Sequence, residues 1–103
     1  MRQILIGDVI AAARSVLNVP RDVRARRLVQ LLDQALVADK VTKRTGRPHF
    51  AWGNGSLMAA CPQRHHKDAP PLAEQAYLEA LRDTIDQVIL WKQRDSSQTR
   101  HHG

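Results

Sequence analysis

Apolar residues recur at helical spacing in several stretches of this 103-residue chain, and no stretch alternates with the period of two that marks a strand. From Asp8 the residues Val9, Ile10, Ala13, Val16 and Leu17 form a short amphipathic run, with Asp8 placed as its N-cap and Asn18 as its stop. Pro20 suits the first turn of a second helix, which the pattern carries to Arg44 before Gly46 and Pro48 end it. Its core face is read as Ala25, Leu28, Leu31, Leu32, Ala35, Leu36 and Ala38, with Arg26, Gln30, Asp33, Lys40 and Arg44 toward solvent.

A third, short helix is expected over Ser56–Cys61, stopped by Pro62. After a polar, basic loop from Gln63 to Ala69, Pro70 and Pro71 prepare a last helix with Glu74 in its first turn. Its apolar stripe is Tyr77, Leu81, Thr84, Ile85, Val88 and Trp91, and its wet face is Glu79, Arg82, Asp83 and Asp86. No apolar residue follows Asp95, so residues 95–103 are expected to be a disordered polar tail on a single domain spanning 1–94. The fold class is therefore all-α: four helices, two long and two short, around a Gly-rich central loop that packs over the second and last helices.

Composition narrows the chemistry. Only Phe50, Trp52, Tyr77 and Trp91 are aromatic, so aliphatic residues must fill most of the core. The formal charge of +6 lies wholly in residues 1–62, which hold ten Lys and Arg against four Asp. An acidic partner would meet that half. Cys61 is the single cysteine, which leaves no intrachain disulfide and makes a cytoplasmic location the default. The apolar start Ile4-Leu5-Ile6 is too short for a signal sequence, and no run of 18 apolar residues suggests a membrane span.

The segment from Lys43 to Ser56 concentrates three of the five glycines, one tryptophan and the sole phenylalanine. Two uses suggest themselves. Gly53-Asn54-Gly55 at the start of the third helix could offer backbone N–H groups to an anion, helped by Lys43, Arg44 and Arg47. The plainer reading is that the glycines turn the chain while Asn54 or Ser56 caps the helix. No Gly-Lys-Ser/Thr follows, so this is no phosphate-binding loop, and without a preceding strand it is no dinucleotide fingerprint. Asp39 projects among the apolar residues of the second helix, where a carboxylate needs partners. The Trp52 indole, a His49 nitrogen and the N–H groups near Asn54 and Gly55 are the candidates, and Asp39 is expected to anchor the loop.

Other constellations are weak. Arg14, Arg21, Arg24, Arg26 and Arg27 resemble a phosphate-contacting patch but spread around their helices and read as a solvated surface. The third helix is too short to serve as a recognition helix. Cys61, His65 and His66, with His49, make poor zinc ligation, and Cys61 reads as a small core residue rather than a nucleophile. No catalytic residue, metal or cofactor is assigned.

The motif Thr45-Gly46-Arg47-x-His49-x-x-Trp52-Gly53-Asn54-Gly55-Ser56-Leu57-Met58-Ala59-Ala60, with Gly7-Asp8-Val9 and Ala11-Ala12-Ala13-Arg14 near the start, resembles small uncharacterised proteins of Rhodobacterales-type alphaproteobacteria. The resemblance covers most of residues 5–90. It implies a bacterial cytoplasmic protein of unknown function and carries over no catalytic residue. The expected function is a small, non-enzymatic interaction or regulatory module that offers a basic surface to a protein partner. That surface comprises Lys43, Arg44, Arg47, His49, Trp52, Asn54 and Gly55. Nucleic-acid binding by phosphate contacts through the same residues is the alternative, and the oligomeric state is open.

Overall fold

The computed structural model describes residues 2–62 and 74–100, the last six of these by their backbone alone. Four helices run in the order α1 (Ile6–Val16), α2 (Arg21–Thr45), α3 (Leu57–Ala60) and α4 (Gln75–Arg100), and no strand occurs among the described residues. The all-α expectation is met, with two long helices and two short ones.

The start of α1 differs from the expected one in a way that matters for the fold. Leu5 is the N-cap, and Asp8 sits inside the first turn. One oxygen of the Asp8 carboxylate accepts the Leu5 N–H at 2.8 Å, and the other accepts the Met58 N–H of α3 at 2.9 Å. One buried side chain thus satisfies orphan backbone donors at the beginnings of two helices, fifty residues apart in sequence.

In α2, Pro20 precedes the first turn, and Gly46, at φ 72°, closes the last by donating its N–H to the Thr42 carbonyl. Leu28, Leu31, Leu32, Ala35 and Ala38 are buried as expected. Ala25 is not; Arg24 takes the inward position in the first turn. Its guanidinium reaches the Leu17 and Val19 carbonyls of the α1–α2 turn and Asp83 of α4, the last at 2.9 Å. Only a long side chain can span from α2 to those acceptors, so the buried face rotates by one residue where the arginine enters. Arg24 accordingly leaves the solvated basic set.

Farther along, Asp33 of α2 accepts the Trp91 indole N–H at 3.0 Å and an Arg94 N–H at 3.2 Å. Position 24 pairs with 83 and position 33 with 91, so residue number rises together along both helices and α2 and α4 run parallel. The core between the helices holds Ala12, Val16, Leu28, Leu31, Leu32, Leu57, Cys61 and Trp91, and Ala13 packs with Tyr77 and Ala80 beside it. Each fully buried leucine here stabilises the fold by roughly 1.5–3 kcal/mol.

Two features of α4 depart from the sequence pattern. Thr84 is buried, its hydroxyl donating to the Ala80 carbonyl, but Ile85, expected in the same stripe, is 45% exposed. The neighbouring helices cover a narrower arc of α4 than its apolar residues occupy. The backbone also remains helical to Arg100, six residues into the expected tail. Absence of apolar residues removes packing but leaves the i to i−4 ladder intact, and no Gly or Pro interrupts residues 95–100. Pro70, Pro71, His65, His66 and residues 101–103 lie outside the described residues.

Candidate interaction surface

The chain leaves α2 at Gly46 and is turned by Thr45, whose hydroxyl donates to Val41 and accepts the Arg47 N–H. His49 and Gly53 then form an isolated antiparallel bridge, with N–H···O distances of 2.7 and 3.0 Å, enclosing Phe50, Ala51 and Trp52 as a tight tip. His49 organises that tip. Its Nδ1 accepts the N–H groups of both Ala51 and Trp52 at 3.0 Å, which places the ring proton on Nε2. The imidazole also stacks with the Trp52 ring, centroids 4.5 Å apart and planes 4° from parallel, and with the Phe50 ring at 4.8 Å.

Beyond the tip, the Asn54 side chain accepts the Ser56 N–H, and Ser56 caps α3 by accepting the Ala59 N–H at 3.1 Å. Gly53 approaches Ala59 and Gly55 approaches Asp39, each so closely that a Cβ would collide. The Gly55 carbonyl accepts the Arg2 N–H. The loop is thereby fixed to α2, α3 and the chain start, and α3 itself packs on α1 and α2 without contacting α4 among the described residues. The expected packing over the second helix is seen where Gly55 meets Asp39.

Asp39 is buried, and its carboxylate takes an ion pair from Lys43 at 2.9 Å, one helical turn on. That ammonium holds the carboxyl below its ordinary value, against the upward push of burial. Lys43 is thus a partner the sequence reading missed, overlooked because it was assigned to the binding surface. Its i to i+4 spacing was the available signal.

The expected binding residues, together with the expected loop anchor Asp39, separate into two groups. Asp39 and Gly55 are buried and hold the loop, and Asn54 is half-buried in the turn. An anion at Gly53-Asn54-Gly55 finds little to bind, because the Met58 and Ala59 N–H groups of α3 already serve Asp8 and Ser56. The Gly53 N–H is engaged as well, by the His49 carbonyl, and Asp39 lies against Gly55, which weighs against the anion reading. The second group is exposed: Lys43, Arg44 and Arg47 line the outside of the segment. His49 and Trp52 are half-buried and shape it.

Phe50, which the sequence reading did not assign to the site, is 97% exposed at the apex. The available signal was that the chain's only phenylalanine lies in a Gly- and Arg-rich loop rather than in a helical stripe. Beside the tip, Trp52 completes a groove of about 500 Å³ along the outer face of α2, lined by Arg26, Val29, Gln30, Asp33, Gln34 and Val37. Among the described residues no three His, Cys, Asp or Glu side chains are grouped to hold a metal ion. No described helix is long and apolar enough to cross a membrane.

A family model for a domain of unknown function, DUF7742, matches residues 2–88. The chain belongs to the DUF7742 family. That match takes in α1, α2, the loop, α3 and the N-terminal half of α4, so the loop and its anchors lie within the DUF7742 domain. No curated protein and no solved structure matches the chain.

Proposed function

We propose that this DUF7742 protein is a non-enzymatic interaction module that docks the Phe50 tip into an apolar pocket on an acidic protein. The carrying observation is a fully exposed phenylalanine on a loop whose backbone is tied by the His49–Gly53 bridge and by the His49 ring. An exposed phenyl ring is disfavoured in water, and a rigid setting for it lowers the ordering cost of binding. Arg44 and Arg47, exposed in the same segment, supply positive charge, which favours an acidic rim on the partner. The α2 groove at Trp52 offers a second apolar contact for a side chain of the same partner. The bacterial, cytoplasmic setting implied by the central motif belongs to the same proposal.

Phe50→Ser is the better probe: both rings stack on His49, but Phe50 is exposed whereas Trp52 is half-buried and lines the α2 groove. An acidic protein retained by the wild type and released by Phe50→Ser, at unchanged melting temperature, supports the proposal. Equal retention by both rejects Phe50 as the anchor. Binding to random-sequence DNA that falls steeply with salt, and survives Phe50→Ser, would replace this reading with phosphate-directed nucleic-acid binding.

A further inference from the structure

The second surface that stands out is on α4. Leu78, Ile85 and Ile89 are 47%, 45% and 50% exposed and fall at i, i+7 and i+11, one line along the helix. They adjoin the half-buried Leu81 and Val88, so the apolar arc continues from the core out onto the surface. Arg82 and Asp86, one turn apart and both exposed, flank that line on its outer side. Among the described residues Arg82 has only a long contact to Asp83 at 4.0 Å, and Asp83 is already held by Arg24 at 2.9 Å.

We propose that this stripe is a homodimer interface in which α4 packs antiparallel against α4 of a second copy. The case rests on self-complementarity. With a two-fold axis passing at the level of Thr84, Leu78 of one copy lies within one residue of Ile89 of the other, and Ile85 sits one residue from the axis, near its own counterpart. The same axis brings Arg82 opposite Asp86 of the second copy, and Asp86 opposite the second Arg82. Apolar register and charge register thus coincide within about one residue, and a two-fold contact requires each patch to match itself. A parallel arrangement would instead place Arg82 beside Arg82 and Asp86 beside Asp86.

The opposite ends of this contact carry no part of the Phe50 tip, which belongs to the α2–α3 loop. The dimer is therefore independent of the proposed partner binding and would present two tips to it. Three side chains per copy make a small interface, so association is weak and concentration-dependent.

Sedimentation equilibrium of the full chain from about 5 to about 500 µM tests this. The weight-average mass should climb from 11.6 kDa toward twice that value. Ile85→Glu should stay monomeric while keeping its helical circular dichroism and melting temperature, since Ile85 is not in the core. Arg82→Asp and Asp86→Arg should each weaken association about tenfold, and the two together should restore it. A monomer at every concentration overturns the proposal, as does association of Ile85→Glu like the wild type. A double charge swap no better than either single one overturns the antiparallel register.

Discussion

Gly55 lies directly on Asp39: a Cβ at this glycine would come within 2.7 Å of both the Cα and the Cβ of the aspartate. The loop approaches α2 at backbone distance, closer than any other side chain permits. The carboxylate beneath remains paired with Lys43, and the chain, turned by the Asn54 side chain, continues into Ser56 and α3. The clasp is thus a steric fit between a glycine and a helix, with a hydrogen-bonded turn on one side and an ion pair on the other.

Gly55→Ala should be among the most damaging single-methyl additions in the chain. The residue sits at φ 106°, and its new methyl would strike helix backbone rather than a side chain that could swing away. A loss of about 3 kcal/mol or more is expected by denaturant unfolding. Gly46→Ala is the control, since it shares a positive φ but has open space around it and should cost only about 1 kcal/mol. Equal costs at the two sites would show that the contact with Asp39 is unimportant.

Asp8→Ala should destabilise the protein by on the order of 2 kcal/mol, because it strands the part-buried N–H groups of Leu5 and Met58 together. For a domain of this size that corresponds to roughly 10 °C in melting temperature. Asp8→Asn keeps only one strong acceptor and should fall between. A change below about 0.5 kcal/mol for Asp8→Ala would mean that water replaces the carboxylate at no cost.

The Asp39–Lys43 pair makes stability depend on acid pH. The folded carboxyl titrates below its ordinary value of 3.8, so the unfolded chain takes up the proton first as pH falls. The contribution is fully present above that ordinary value and is lost as pH drops through the lower, folded value. Lys43 is mostly exposed, so the effect should be at most about 1 kcal/mol and fade with salt. Lys43→Gln should flatten this part of the acid unfolding profile; an identical profile would refute the coupling.

Cys61 should be inert in the native protein. It is buried in the core, its thiol donates to the Leu57 carbonyl, and burial pushes its pKa up to about 11. A chromogenic disulfide reagent at neutral pH should label it at least about a hundredfold more slowly than a free thiol, and labelling should become fast only once denaturant opens the core. Rapid native labelling would contradict the packing of α3 against α1 and α2.

How much was legible beforehand follows from which interactions are local. Helix spans of α2 and α3 were readable because their stop and cap signals, Gly46, Ser56 and Pro62, act within a few residues of where they stand. The buried leucines of α2 followed from periodicity, and Cys61 from its small, apolar surroundings. Ala25 and Ile85 were misplaced because periodicity locates the centre of an apolar face but not its width, which neighbouring helices set. Asp39 was correctly suspected of being buried, yet its partner Lys43 was assigned to the opposite role.

By itself the sequence determined an all-helical chain, the turn at Gly46, the crowding of aromatic and cationic residues in one loop, and the asymmetry of charge. These depend on backbone preferences and side-chain composition, which are properties of a short stretch. Only the tertiary structure decided that Asp8 serves α3 as well as α1, that Arg24 is buried against α4, and that Phe50 rather than Trp52 is the exposed ring. Each of those outcomes joins or separates groups distant along the chain, and such contacts exist only after the helices have chosen their neighbours.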